Sequence, residues 1–150
     1  MSTLLKEMGD TALRLGIPLG VHLDLTYRCN ERCVHCYLDH DDHGEMDTAQ
    51  IKDLLEQMSA AGVFFLTLSG GEIMMRRDFF EIFEFARQLS FFVKLKSNAV
   101  MIHAAEADRI QALSPDSVQI SVYSHRPEIH DAITKLPGSL KRSIAGARLL

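Results

Sequence analysis

The chain lacks any apolar run approaching the roughly 20 residues that a membrane-spanning helix needs. Its first residues carry Lys6, Glu7 and Asp10 where a secretory signal would place an apolar stretch. The cytoplasm is therefore the default compartment. A basic excess is also missing: the net charge is -4, and lysines and arginines are scattered, which argues against a nucleic-acid partner. The adjacent basic pairs Arg76-Arg77 and Lys141-Arg142 read as solvated helix-end charges. No Pro-, Gly- or Ser-rich linker divides the sequence. Cysteine is scarce, with three residues all inside the segment 29–36. An odd number packed that closely is a poor disulfide framework and a good metal-binding one. What remains is 150 residues, 47% hydrophobic and 24% charged, an ordinary composition for one domain with its own core.

Apolar strands alternate with amphipathic helices. Val21–Leu25 reads as a first strand, followed by a polar loop that bears the cysteines. A helix is expected from about Asp47, with Ile51, Leu54, Leu55 and Met58 at helical spacing and Gly62 as its stop. A second strand, Val63–Leu68, runs into Ser69-Gly70-Gly71-Glu72. The next helix presents Phe79, Ile82, Phe83 and Ala86. A third strand, Phe92–Lys96, ends at Ser97-Asn98, and a helix from about His103 to Leu113 is broken by Ser114-Pro115-Asp116. Val118–Val122 is a fourth strand, and Ser139 is positioned to cap a last helix. This order predicts an α/β fold with a parallel sheet, its fourth strand an exposed edge. A closed eight-stranded barrel needs about 250 residues, so four βα units read as part of a larger barrel.

Cys29, Cys33 and Cys36 spell C-x3-C-x2-C just after a strand, where βα enzymes place their chemistry. Three readings fit. Three thiolates can hold three irons of a cubane and leave the fourth open to a small molecule. Structural zinc needs a fourth ligand, which His22, His35, His40 or His43 would supply. Spacing i, i+4, i+7 is also one face of a helix, so an inert buried stripe fits as well.

The residues at the ends of all four strands resemble the radical S-adenosylmethionine (SAM) superfamily, whose hallmark is C-x3-C-x-aromatic-C. His35 takes the aromatic position and Tyr37 follows the last cysteine. Gly70-Gly71-Glu72 is similar to the family's GGE motif, Ser97-Asn98 to its ribose-contacting element, and Ser121-Val122-Tyr123 to a further SAM-contacting position. The resemblance covers about residues 18–150, with 1–17 a lead-in. Segments 119–123, 130–134 and 137–139 look like the peptide- and protein-modifying branch that carries a C-terminal SPASM extension.

The resemblance implies a partial six-unit (β/α) barrel of which about four βα units are present. It also implies a 4Fe-4S cluster on Cys29, Cys33 and Cys36 that reductively cleaves SAM to a 5′-deoxyadenosyl radical. That radical takes hydrogen from a substrate, expected to be a peptide or protein, with electrons from a reductant or electron-transfer protein. His35, Tyr37, Gly70, Gly71, Glu72, Ser97, Asn98 and Ser121 are the expected SAM contacts, with Glu72 offering its carboxylate to the SAM amino group. Several of the strand-end residues have a plainer reading. Gly70-Gly71 is a turn, Glu72 a helix N-terminal acid, Ser97-Asn98 a cap, Ser121 a small barrel residue and Tyr123 core. No catalytic side chain beyond the cluster is expected, and an inactive truncated fragment or a zinc-stabilised interaction module are the alternatives. Two positions depart from the family: Ile73 replaces the proline after GGE, and Ala99 replaces the glycine after the third-strand Asn. Outside these motifs, His40-Asp41-Asp42-His43 reads as a solvated loop. His22 and Asp24 share the polar face of the first strand, and His125 and His130 follow the fourth, where they could meet substrate.

Overall fold

The computed structural model describes residues 3–41 and 43–150; Asp42, part of the histidine-rich loop, lies outside them. Helix α1 (Thr3–Leu15) comes first. Four strand-helix units follow: β1 (Gly20–Asp24) with α2 (Thr48–Ala60), β2 (Phe65–Ser69) with α3 (Phe79–Gln88), β3 (Phe92–Ser97) with α4 (Ala104–Leu113), and β4 (Ser117–Ile120) with α5 (Pro127–Thr134) and α6 (Ser139–Ala147). A short 3-10 turn, Ile73–Met75, leads into α3. The strands are all parallel in the order β1-β2-β3-β4. Sequential parallel strands joined by helices are the arrangement of a (β/α) barrel, here four units of it. Among the described residues no helix is long and apolar enough to cross a membrane.

Side chains alternate across a strand, so each strand divides its residues between two faces. One face carries Leu23, Leu66, Leu68, Val93 and Leu95, which pack against Ile51 and Leu55 of α2, Ile82, Phe83 and Ala86 of α3, and Ala107 and Ile110 of α4. The opposite face carries His22, Asp24, Thr67, Lys94, Lys96 and Gln119, half-buried or exposed.

Caps set the helix ends. Asp47 and Gln50 form a reciprocal capping box at the start of α2, each side chain bonding the other's backbone N–H at 2.9 Å. The helix closes with Val63 N–H on the Met58 carbonyl and Gly62 N–H on that of Ser59, a Schellman arrangement in which Gly62 takes φ +91°. That use of Val63 delays β2 to Phe65, two residues later than its apolar run suggests. β4 ends at Ile120; Ser121 N–H still reaches the Ser97 carbonyl at 3.2 Å, but Val122 and Tyr123 leave the ladder. Helices α1 and α5 were not expected. The cap of α6 differs too: Gly138 is the N-cap residue and Ser139 is already helical. Asp131 of α5 does the capping, accepting from Gly138 N–H, Leu140 N–H and Ser139 Oγ.

Of the two basic pairs, Arg76 overturns the solvated reading. It is 7% exposed and donates Nη1 to the carbonyls of Leu25 (2.7 Å) and Met46 (3.1 Å). Its Nε and Nη2 form a fork on the Asp78 carboxylate at 2.9 and 2.5 Å. Thr48 Oγ1 donates to the same carboxylate at 2.8 Å. One guanidinium therefore ties the end of β1, the approach to α2 and the start of α3 together. The same junction is drawn tight by glycine. Gly71 N–H bonds the Thr26 carbonyl at 2.7 Å and Glu72 N–H that of Arg28 at 2.9 Å. A Cβ on Gly70, at φ +127°, would lie 2.3 Å from the Thr26 carbonyl oxygen, and one on Gly71 2.3 Å from that of Arg28.

Two outcomes are expected. Gly71→Ala pushes a methyl into backbone that has no rotamer to yield, and urea unfolding should show a loss of about 2–3 kcal/mol. For Asp78, the Arg76 guanidinium holds the carboxyl down at about 2, against about 3.9 in an unfolded chain. Its contribution is therefore complete above about pH 4 and is lost as pH falls towards about 2. Asp78→Asn should cost roughly 1–2 kcal/mol at neutral pH, and urea midpoints measured at falling pH should converge with those of the parent chain below about pH 4.

Candidate active site at the strand ends

The loop after β1 brings all three cysteines to a cavity of about 280 Å³ at the C-terminal ends of the strands. Its wall includes Cys29, Cys33 and Cys36 from the first unit, Ser69, Gly70 and Gly71 from the second, Lys96, Ser97 and Asn98 from the third, and Ser121 and Tyr123 from the fourth. His35 and Tyr37 line it as well. Every expected site residue except Glu72 is thus gathered around one space.

The cysteine loop is held from both sides. Its Arg32 and Val34 N–H groups donate to the carbonyls of Thr134 and Ile133, the last turn of α5, at 2.9 Å each. The His35 ring meets Tyr123 edge-on with centroids 4.7 Å apart, and Tyr123 leans on His130 at 5.6 Å. His130 is fully buried, its Nδ1 accepting from Tyr123 N–H at 3.2 Å. It supports the loop from behind rather than facing the cavity, and exposed His125 does not line the cavity either. Tyr37 is exposed and donates its hydroxyl to Asp24 Oδ2 at 3.0 Å, while His22 Nε2 pairs with Asp24 Oδ1 at 3.2 Å. The neighbouring loop is partly solvated as expected: His43 pairs with Asp39 at 2.7 Å. His40, however, lines the main cavity.

Glu72 lies behind the others. It is completely buried and outside the cavity wall. Its carboxylate accepts from Ser97 Oγ at 2.9 and 3.0 Å, Asn98 N–H at 2.8 Å and Met74 N–H at 3.1 Å. Burial pushes the Glu72 carboxyl up, against the pull of those donors. The effect is to lock the turn after β3 onto the turn after β2. Asn98, so fixed, donates its amide to Asn30 Oδ1 at 2.7 Å and reaches Cys29 Sγ at 3.9 Å. Ala99 adopts φ +59°, so the left-handed turn that a glycine would take is kept here with a methyl group.

The donor set suits an iron-sulfur centre. A cubane spreads its thiolates over separate irons, and Cys29, Cys33 and Cys36 stand around one cavity wall. Glu31 N–H donates to Cys29 Sγ at 3.4 Å, the kind of contact that a cluster thiolate accepts. Burial first, then the Glu72 and Glu31 carboxylates, push the Cys29 thiol up to about 11, and burial with Glu31 does the same to Cys33. Both are protonated at neutral pH until a cation displaces the proton. Glu31 itself is raised to about 7, chiefly by burial, and its Oε1 has no hydrogen-bond partner among the described residues. Asn30 and Glu31 were passed over in the sequence, although both fall between the first two cysteines.

Comparison with known proteins agrees with this arrangement. Residues 23–150 match the Radical SAM superfamily. The chain is 36% identical over 121 residues to the mycofactocin maturase MftC of Mycobacterium tuberculosis, covering 79% of this chain and 31% of that protein. It is 37% identical over 139 residues to the PqqA peptide cyclase of Xanthomonas oryzae pv. oryzae, covering 87% and 36%. The chain thus spans about a third of the length of these relatives. Streptococcus suis SuiB, solved bound to its precursor peptide SuiA, superposes with a TM-score of 0.78 over 95% of this chain and 33% of its own, at 18% identity, which shows a shared fold. With 128 consecutive residues matched and the strand-end motifs gathered at one cavity, the chain belongs to the radical SAM superfamily, whose enzymes use a 4Fe-4S cluster and S-adenosylmethionine.

Proposed function

We propose that this chain carries the cluster- and SAM-binding part of a radical SAM enzyme that modifies a peptide or protein. The observation that carries the reading is the convergence of Cys29, Cys33 and Cys36 with the ends of four successive strands on one cavity. The peptide substrate is supported by the relatives, among them a PqqA peptide cyclase.

In this reading the three thiolates hold three irons, and the cavity beside them takes SAM. When bound, the reduced cluster would give one electron to SAM, whose cleavage to methionine would yield the 5′-deoxyadenosyl radical that removes a hydrogen atom from substrate. The protein binds, orients and excludes water. Gly70 and Gly71 line the cavity with backbone alone, which lets a ligand approach closely. Ser97 and Asn98 present polar groups already oriented by Glu72, so little order is lost on binding. Ser121 offers a hydroxyl from the fourth unit, and the ring of His35, braced by Tyr123, offers an apolar edge to adenine. Glu72 acts as a positioning residue behind this wall. An external reductant supplies the electron, and a reducing compartment such as the cytoplasm suits an open iron site.

The test is anaerobic reconstitution with iron and sulfide, then SAM and dithionite. The expected product is 5′-deoxyadenosine, and a chain that binds iron yet releases none overturns the reading. Cys33→Ala should abolish both the cluster absorbance and the product. Glu72→Gln replaces one acceptor oxygen by a donor facing Ser97 and Asn98. It should cost about 1–3 kcal/mol in denaturant unfolding of the SAM-free chain; unchanged stability with weakened SAM binding would instead make Glu72 a direct ligand contact.

A further inference from the structure

The helix-free face of the sheet is not neutral. Parallel register places His22, Thr67, Lys94 and Ser117 side by side in one row, and Lys96 beside Gln119 in the row above. Below them, Gly20, Phe65 and Phe92 form a third row, with the two rings packed edge-on at 5.3 Å. Lys94 and Lys96 therefore point to the same side of β3, roughly 7 Å apart along the strand. Lys96 lines the main cavity with the cysteines and also a neighbouring one with Gln119 and Ser121. Lys94 lines a further hollow with Gly20, His22, Phe65 and Thr67.

Neither lysine makes an ion pair among the described residues; the Lys94 ammonium lies only over the Phe92 ring, 6.0 Å from its centroid. The one strand carboxylate on this face, Asp24, accepts from the Tyr37 hydroxyl on Oδ2 and lies 3.2 Å from His22 Nε2 on Oδ1. A chain of net charge -4 thus sets two unpaired cations side by side on its polar face, next to the cavity that holds the thiols. Like charges so placed repel one another and focus a positive potential, which an arriving anion relieves. The phenyl rings below them give an apolar floor. The two lysines lie in different rows, and Lys94 is outside the wall of the main cavity. A ligand confined to that cavity reaches Lys96 only, whereas a chain laid along the face reaches both.

We propose that this face is a carboxylate-binding subsite of the peptide substrate, in which Lys94 and Lys96 share one acidic group and hold the adjoining residue beside the cavity. The proposal rests on the peptide-substrate reading above and adds the charge of the group recognised.

The probes are the acetylated, amidated tripeptide Gly-Glu-Gly and its glutamine counterpart Gly-Gln-Gly, titrated by NMR against the whole chain without cluster. The glutamate peptide should bind at least about tenfold more tightly. The preference should fade between about 0.1 and 1 M salt, where the screening length falls from roughly 10 to 3 Å. Lys94→Gln with Lys96→Gln should erase it, and Lys94→Arg with Lys96→Arg should restore it, which separates loss of charge from loss of fold. Equal binding of the two peptides overturns the proposal, as does a preference that survives the glutamine variant. If the glutamine variant loses SAM affinity and keeps the glutamate preference, the lysines serve the SAM carboxylate and the proposal fails. Failure of the enzymatic reading registers elsewhere, as absence of 5′-deoxyadenosine from the reconstituted parent chain.

Discussion

The site depends on one close backbone contact, that between Gly70-Gly71-Glu72 and the segment Thr26–Arg28. Two hydrogen bonds join them, and no side chain fits between. Because Cys29 follows directly on Arg28, the position of the first thiol is set by the turn after the second strand rather than by its own loop. Glu72 extends the linkage by one strand: its backbone belongs to the same contact, and its carboxylate holds Ser97 and Asn98. Asn98 then returns to Asn30 and Cys29. Three strand ends are thereby closed into a ring of short bonds around the cavity. A buried carboxylate is costly unless its acceptors are filled, and the donors from Met74, Ser97 and Asn98 fill those of Glu72.

Much of this was legible in the residues. The βα order, the parallel sheet and the strand-end motifs follow from apolar periodicity and from short polar signals at strand ends. Most of what was hidden lies in side-chain partners that local periodicity does not name. Arg76 beside Arg77 looks like surface charge; only the approach of the Leu25 and Met46 carbonyls makes it a buried clamp. Asp131 looks like an ordinary helical acid, yet it caps the helix that follows. Glu72 carries the motif, but its bonds to Ser97, Asn98 and Met74 could not be read from it, because a sequence motif fixes which group is present and not where its oxygens turn. Helix α5 is eight residues long and opens on a proline, too short for periodicity to declare it.

Ala99 shows how a departure from a family pattern is absorbed. A left-handed conformation costs a non-glycine residue about 1–2 kcal/mol. The turn nonetheless keeps it, with Ala99 N–H on Ser97 Oγ at 2.9 Å and Val100 N–H on Asn98 Oδ1 at 3.0 Å. These bonds run to the residues that Glu72 anchors. The strain is thus held by the same network that shapes the cavity.

The last turn of α5 also sets an order of events. Arg32 and Val34 lie about a hundred residues upstream of the carbonyls that fix them, those of Thr134 and Ile133. During synthesis the thiols therefore leave the ribosome well before the clamp that shapes their loop exists. Until the fourth unit emerges and docks, the three cysteines belong to an open segment, free to meet oxidants or stray ions. Loading with iron and sulfur is best timed late, after the last turn of α5 has closed the first strand's loop.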